Sequence, residues 1–149
     1  TIHLELYVNA PTAWSRIFSI NRSGSNGFLS VLYSGTGVRV SYNDYASPEA
    51  NYVDMDTTQL PTGSVRITIS VADDGSLSIY INNVLASHSG GSGGTGLSNC
   101  VETLTTDSTF DEVSFFGGAD FWVDSVFDGY IQSCAIYNGV VSAEDVPNL

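Results

Sequence analysis

Ser64-Val-Arg-Ile-Thr-Ile-Ser-Val-Ala-Asp-Asp-Gly-Ser-Leu-Ser-Ile-Tyr-Ile-Asn-Asn83 reads as two strands and the turn that joins them. Val65, Ile67, Ile69 and Val71 occupy every second position, and Leu77, Ile79 and Ile81 do the same after the interruption. Successive strand side chains point to opposite faces, so this period of two buries one face and leaves the other polar. An amphipathic helix would space its apolar residues three and four apart. Between the runs, Ala72-Asp-Asp-Gly-Ser76 contains Asp-Gly, which supplies the positive φ that tight hairpin loops need.

The same alternation recurs outward from this hairpin. In Thr1-Ile-His-Leu-Glu-Leu-Tyr-Val-Asn9, Ile2, Leu4, Leu6 and Val8 fall on one face, with His3, Glu5 and Tyr7 on the other. His3 therefore reads as an exposed strand residue. Further strand-like runs occupy 14–20, 27–33, 37–42, 111–116 and 129–137, and turn chemistry separates them at Ser23-Gly-Ser-Asn-Gly27, Ser34-Gly-Thr-Gly37, Ser47-Pro48, Leu60-Pro-Thr-Gly63 and Gly117-Gly118. The Ser/Gly-rich stretch 87–98 reads as a mobile loop, with His88 at its border. Many short strands without amphipathic helices between them predict an all-β, two-sheet antiparallel sandwich or a barrel. Only the end of the chain reads as helical: Ser142-Ala-Glu-Asp145 resembles a capping box that uses Asp, and Pro147 is expected to stop the turn. No long-period repeat and no linker interrupts the pattern, so residues 1–149 are expected to form one domain.

Composition narrows the function classes. Four Arg and no Lys face sixteen carboxylates, for a formal net charge of −12. Such a surface repels phosphate backbones and anionic headgroups, which argues against nucleic acid and the membrane surface as partners. It attracts divalent cations; the alternative reading is that the charge only maintains solubility. Charged residues make up 13% of the chain, about half the usual share, so Ser, Thr, Asn and Gly supply most of the polar surface. That balance suits an extracellular β-protein, secreted or displayed on a cell or virion. No apolar run is long enough to insert in a bilayer. The first residue, Thr1, already lies in a strand pattern, as expected of a processed protein or a domain cut from a larger chain or assembly. Cys100 and Cys134 could be two buried thiols, but an oxidising compartment favours a disulfide. It would close a loop of roughly 35 residues and contribute about 3–4 kcal/mol in the chain-entropy model.

The C-terminal third carries the most specific pattern. Phe127-Asp-Gly-Tyr-Ile-Gln-Ser-Cys-Ala-Ile-Tyr-Asn-Gly-Val-Val-Ser-Ala-Glu-Asp-Val146 resembles the closing motif of laminin-G-like, concanavalin A-like lectin and glucanase domains. The central hairpin and the opening strand followed by Trp14-Ser-Arg-Ile-Phe18 are similar to that family in the same order. The resemblance implies a jelly-roll sandwich of two curved antiparallel sheets. Gln132 stands where the motif has an acidic residue, and Cys134 occupies one of its hydrophobic positions, so no role of that acid carries over. Function on this fold ranges from glycan recognition to adhesion and scaffolding.

Two residue classes suggest sites. Asp54 and Asp56 in Tyr52-Val-Asp-Met-Asp56 would share one strand face and could hold Ca²⁺, the one cofactor the acidic residues suggest. Asp120 and Asp124, with Asp128, surround Phe121-Trp122 in a loop of the kind Ca²⁺ prefers, and domains of the resembled family often carry this ion at a sandwich edge. Solvated acids are the alternative for both groups. Among the aromatics, Tyr42-Asn43-Asp44-Tyr45, Tyr52 and Trp122 suit stacking on sugar rings and hydrogen bonding to their hydroxyls. Tyr42 and Tyr45 could equally fill the core with their polar tips at its rim. Trp14, at the start of a strand run, reads as core. Asn21-Arg-Ser23 is a glycosylation sequon, a match short enough to arise by chance. Glucanases of this fold place carboxylates in an E-x-D-x-x-E pattern, which does not occur here, and neither His3 nor His88 sits beside a nucleophile. The expectation is a non-catalytic lectin-like module that binds a glycan. The alternative is a structural or decorating domain of an adhesin, filament or virion that binds a surface protein.

Overall fold

The computed structural model describes residues 1–22, 28–43, 51–55, 60–72, 76–90, 110–116 and 125–149. Among these, the strands are β1 (Ile2–Ala10), β2 (Ser15–Arg22), β3 (Phe28–Tyr33), β4 (Val38–Asn43), β5 (Asn51–Met55), β6 (Gly63–Val71), β7 (Leu77–Ile81), β8 (Val84–Leu85), β9 (His88–Gly90), β10 (Phe110–Phe115) and β11 (Asp128–Ile136). They form a five-stranded sheet, β11-β1-β6-β7-β8, and a six-stranded sheet, β10-β2-β3-β4-β5-β9. Every ladder is antiparallel. The quoted hairpin is β6–β7, with Ile67 opposite Ile81 and Ile69 opposite Ile79. After it, Asn82 and Asn83 both adopt positive φ (50° and 68°) and form the two-residue turn to β8. Both positions of a primed turn need that conformation, which Asn tolerates better than most residues.

The alternation sets the core. Leu4, Leu6 and Ile67 from the five-stranded sheet meet Phe18, Val31 and Val40 from the six-stranded one, all without solvent exposure. Each such side chain contributes about 1.5–3 kcal/mol relative to exposure. A bulge in β2 between Arg16 and Phe18 turns both Ile17 and Phe18 into the core. β11 carries another: Ser133 faces Glu5 and Ile131 faces Leu6, which leaves Gln132 as the extra residue.

Three expectations need correction. His3 is not exposed; it is 4% accessible, and its Nδ1 lies 2.8 Å from Thr68 Oγ1 on the neighbouring strand. The Val141 N–H donates to the hydroxyls of Ser70 and Thr1, so the C-terminal segment closes over this end of the outer face. The last turn is a 3-10 turn, Val146–Asn148, with Asp145 at the N-cap position making no side-chain cap bond and Pro147 inside it. Pro is tolerated in a first turn, where no N–H is needed. Ser142 Oγ donates to the Asp145 carboxylate, whereas in a capping box it would accept from a backbone N–H. Finally, His88–Gly90 is a strand, paired with β5 through Val53–Gly90 and Met55–His88. Backbone pairing along an edge does not require apolar side chains. Residues 91–98 of that stretch lie outside the described residues.

Candidate functional site

The outer face of the six-stranded sheet is polar where a solvated sheet would be, yet much of it is buried. Alternation in β4 sends Val38 and Val40 into the core, leaving Arg39 and Ser41 on the opposite face. Register then carries one row from Arg16 through Leu32 and Arg39 to Asp54 on β5. The next row runs from Ser114 on β10 through Ser19, Ser30 and Ser41 to Tyr52 on β5. Arg16 is 2% exposed, Ser19 and Ser30 are 0%, and Ser41 is 5%. Ser114 accepts from Asn21 Nδ2 at 2.7 Å and shares a 2.8 Å bond with Ser19 Oγ. Ser30 Oγ and Asn21 Oδ1 are buried and have no hydrogen-bond partner among the described residues. Each such group costs about 1–3 kcal/mol unless water or a ligand satisfies it. With Asn21 only 4% exposed, its sequon presents no free amide for glycosylation.

Trp14 forms the accessible rim of this face. It is 52% exposed, not core, because the chain turns at this residue instead of entering a strand. Its φ is +60°, a region that costs a bulky residue energy. Two backbone bonds hold it there: its N–H donates to the Tyr33 carbonyl at 2.7 Å, and its carbonyl accepts from Ser125 at 2.9 Å. The Arg39 guanidinium carbon lies 5.0 Å from the indole centroid, within cation–π range. An indole fixed beside a guanidinium, next to a row of hydroxyls, can stack on a sugar ring and hydrogen-bond its substituents.

The structure brings together part of what the sequence suggested. Tyr42 and Asn43 lie on β4, and Tyr52 and Asp54 lie on β5, with Tyr52 opposite Ser41 and Asp54 opposite Arg39. Tyr42 is opposite core residue Leu29. Asp44, Tyr45, Asp56, Asp120, Trp122, Asp124 and Cys100 lie outside the described residues. Cys134, on β11, is a free and partly buried thiol, and burial raises its pKa. Among the described residues, no three His, Cys, Asp or Glu side chains converge as a metal site would require. Sequence reasoning missed Arg16, Arg39 and the serine row. A signal did exist, since Ser19, Ser30 and Ser41 each sit between apolar residues in separate strands. Only the register, however, aligns them side by side.

Comparison with curated proteins finds no match. Two solved structures of the Ruminococcus gnavus IT-sialidase CBM40 share this architecture, with TM-scores of 0.70 and 0.69. Each is 13% identical to this chain and covers 97% of it, while the chain covers 78% of theirs. The first of them is bound to alpha2,3 sialyllactose. At that identity the likeness is one of fold. The two antiparallel sheets and the closing motif on β11 agree with a family match that spans residues 1–147, and the chain belongs to the concanavalin A-like lectin/glucanases superfamily.

Proposed function

We propose that this domain is a non-catalytic, extracellular carbohydrate-binding module that uses the outer face of its six-stranded sheet. The observation that carries the reading is the pair at the rim of that face, an exposed Trp14 indole held within cation–π range of the half-buried Arg39 guanidinium. A sugar supplies an apolar ring face for the indole and hydroxyls for the guanidinium beside it. Arg39, half-buried at this rim in a chain with only four basic residues, offers guanidinium N–H donors to a sugar bearing a carboxylate. The sialyllactose bound by the structurally similar module supports the same ligand class. Calcium bound by Asp54, Asp56, Asp120 or Asp124 remains part of the proposal as a support for the loops.

The test is glycan-array binding of the domain, in Ca²⁺ and in EDTA, with sialylated and neutral glycans. Selective binding of acidic glycans, weakened roughly 10- to 150-fold by Arg39→Ala through loss of a charge-assisted bond, supports the reading. Loss of that binding in EDTA supports the calcium sites, and indifference to EDTA discards them. A folded domain that binds no glycan in either buffer refutes the proposal and puts the protein-contact scaffold in its place.

A further inference from the structure

A second polar surface lies on the opposite side of the sandwich, on the outer face of the five-stranded sheet. Register places Tyr130, Tyr7 and Ser64 in one row across β11, β1 and β6. The two tyrosine rings stack with centroids 5.2 Å apart and planes 8° from parallel, and Tyr130 is 51% exposed. On the other side of Tyr7 the row continues with Ser64, a small residue that lines a pocket. The stack thus ends at Tyr7, with a hydroxyl-sized neighbour where a third ring would lie.

The remaining walls have a definite chemistry. Glu5 accepts from Arg66 Nε at 2.9 Å and from Ser133 Oγ at 2.8 Å, so the two charges of the pocket neutralise each other. Asn82 accepts from the Arg66 backbone N–H through Oδ1, which fixes the side chain and leaves its amide hydrogens for other partners. Asn83 contributes a buried Oδ1 with no hydrogen-bond partner among the described residues. Gln132 reaches the pocket because the β11 bulge makes it the extra residue. Amides beside a neutralised ion pair suit uncharged hydroxyls. They do not suit a carboxylate or a phosphate, which would find Glu5 already bound to Arg66.

We infer that this pocket is a second glycan site, specific for a neutral pyranose that lies over Ser64, next to the end of the Tyr130–Tyr7 stack, and hydrogen-bonds Asn82, Asn83 and Gln132. The inference is separate from the proposed acidic-sugar site, which lies on the other sheet and has different chemistry. The domain would then hold two dissimilar sugars on opposite faces and bridge glycan chains. A single ring with few hydrogen bonds predicts weak affinity, with Kd on the order of 1 mM.

The test is a ¹H–¹⁵N NMR titration of the domain with lactose, maltose and cellobiose. Saturable shifts at Tyr7, Asn83 and Gln132, with Trp14 and Arg39 unmoved, are expected from at least one of them. Asn83→Gly removes the acceptor while keeping a turn conformation that Gly adopts freely, so the variant folds and should bind at least tenfold more weakly. Arg39→Ala should leave these shifts unchanged, even if it abolishes acidic-glycan binding. No saturable shift with any of the three sugars, shifts confined to the Trp14–Arg39 face, or unchanged binding by Asn83→Gly would each overturn the inference.

Discussion

Gly129 lies in the closing motif, opposite Val8 where β11 meets β1. A Cβ built on it collides with the Tyr7 carbonyl oxygen and falls 2.6 Å from Phe127 Cε1. Ordinary carbon–carbon contact needs about 3.5–4.0 Å, so roughly 1 Å must be found at the ring alone. Phe127 is 4% exposed and stacked on Phe116 at 4.9 Å, which leaves it little room to retreat. The other obstacle is backbone, and moving it pulls β1 away from β11. Loss of one or two ladder hydrogen bonds, at about 1 kcal/mol each, adds to an overpacking cost of about 1–3 kcal/mol. Gly129→Ala should therefore destabilise by about 2–5 kcal/mol, a large share of the roughly 5–15 kcal/mol typical of a domain. At about 2–4 °C per kcal/mol for this size, Tm should fall by about 4–20 °C. Thermal and urea unfolding followed by circular dichroism measures this directly. Gly139→Ala is the control: φ is +93° but nothing among the described residues lies within 4 Å, so only backbone strain of about 1–3 kcal/mol applies. A Gly129→Ala domain within 1 kcal/mol of the parent, or one no worse than Gly139→Ala, would refute the steric argument.

Two further outcomes follow from the core and from His3. Ile67→Ala empties a fully buried position between β1 and β7 and should cost about 2–5 kcal/mol, read as a lower urea midpoint at unchanged m-value. Burial lowers the His3 pKa below its ordinary 6.5, the nearby Glu5 charge offsetting this in part. The unfolded chain then binds the proton more tightly, so the stability His3 contributes is complete above about pH 6.5 and is lost as pH falls below it. The urea midpoint should drop between pH 7 and pH 5, and His3→Gln should flatten that drop. An equal slope in the variant would remove His3 as its cause. Glu5, whose pKa is lowered first by the Ser133 hydrogen bond, titrates in its own lower range, below 4.5, outside that window.

Much of this fold could be read along the chain. Strict alternation in Ile2–Val8, Val65–Val71 and Leu77–Ile81 identified the inner faces, because the strand period is a local property of the backbone. Asp74-Gly75 marked the hairpin, and the closing motif on β11 pointed to the family that the chain joins. The period does not tell which outer-face residues stay in water. His3, Thr68 and Ser70 share the polar parity of Glu5 yet are buried; His3 and Thr68 bond each other, and Val141 reaches Ser70 from the far end of the chain. Trp14 belongs to an apolar type yet is exposed, because its backbone is bonded to Tyr33 and Ser125 and not continued as a strand. Neither candidate site is a contiguous motif. Arg16 and Arg39 share a row only through the register of β2, β3 and β4, and Tyr7 meets Tyr130 across 123 positions only because β1 pairs with β11. Local propensity determined the strands and their buried faces; cross-strand register and the path of the chain ends, which depend on contacts distant in sequence, decided which polar and aromatic side chains face a ligand together.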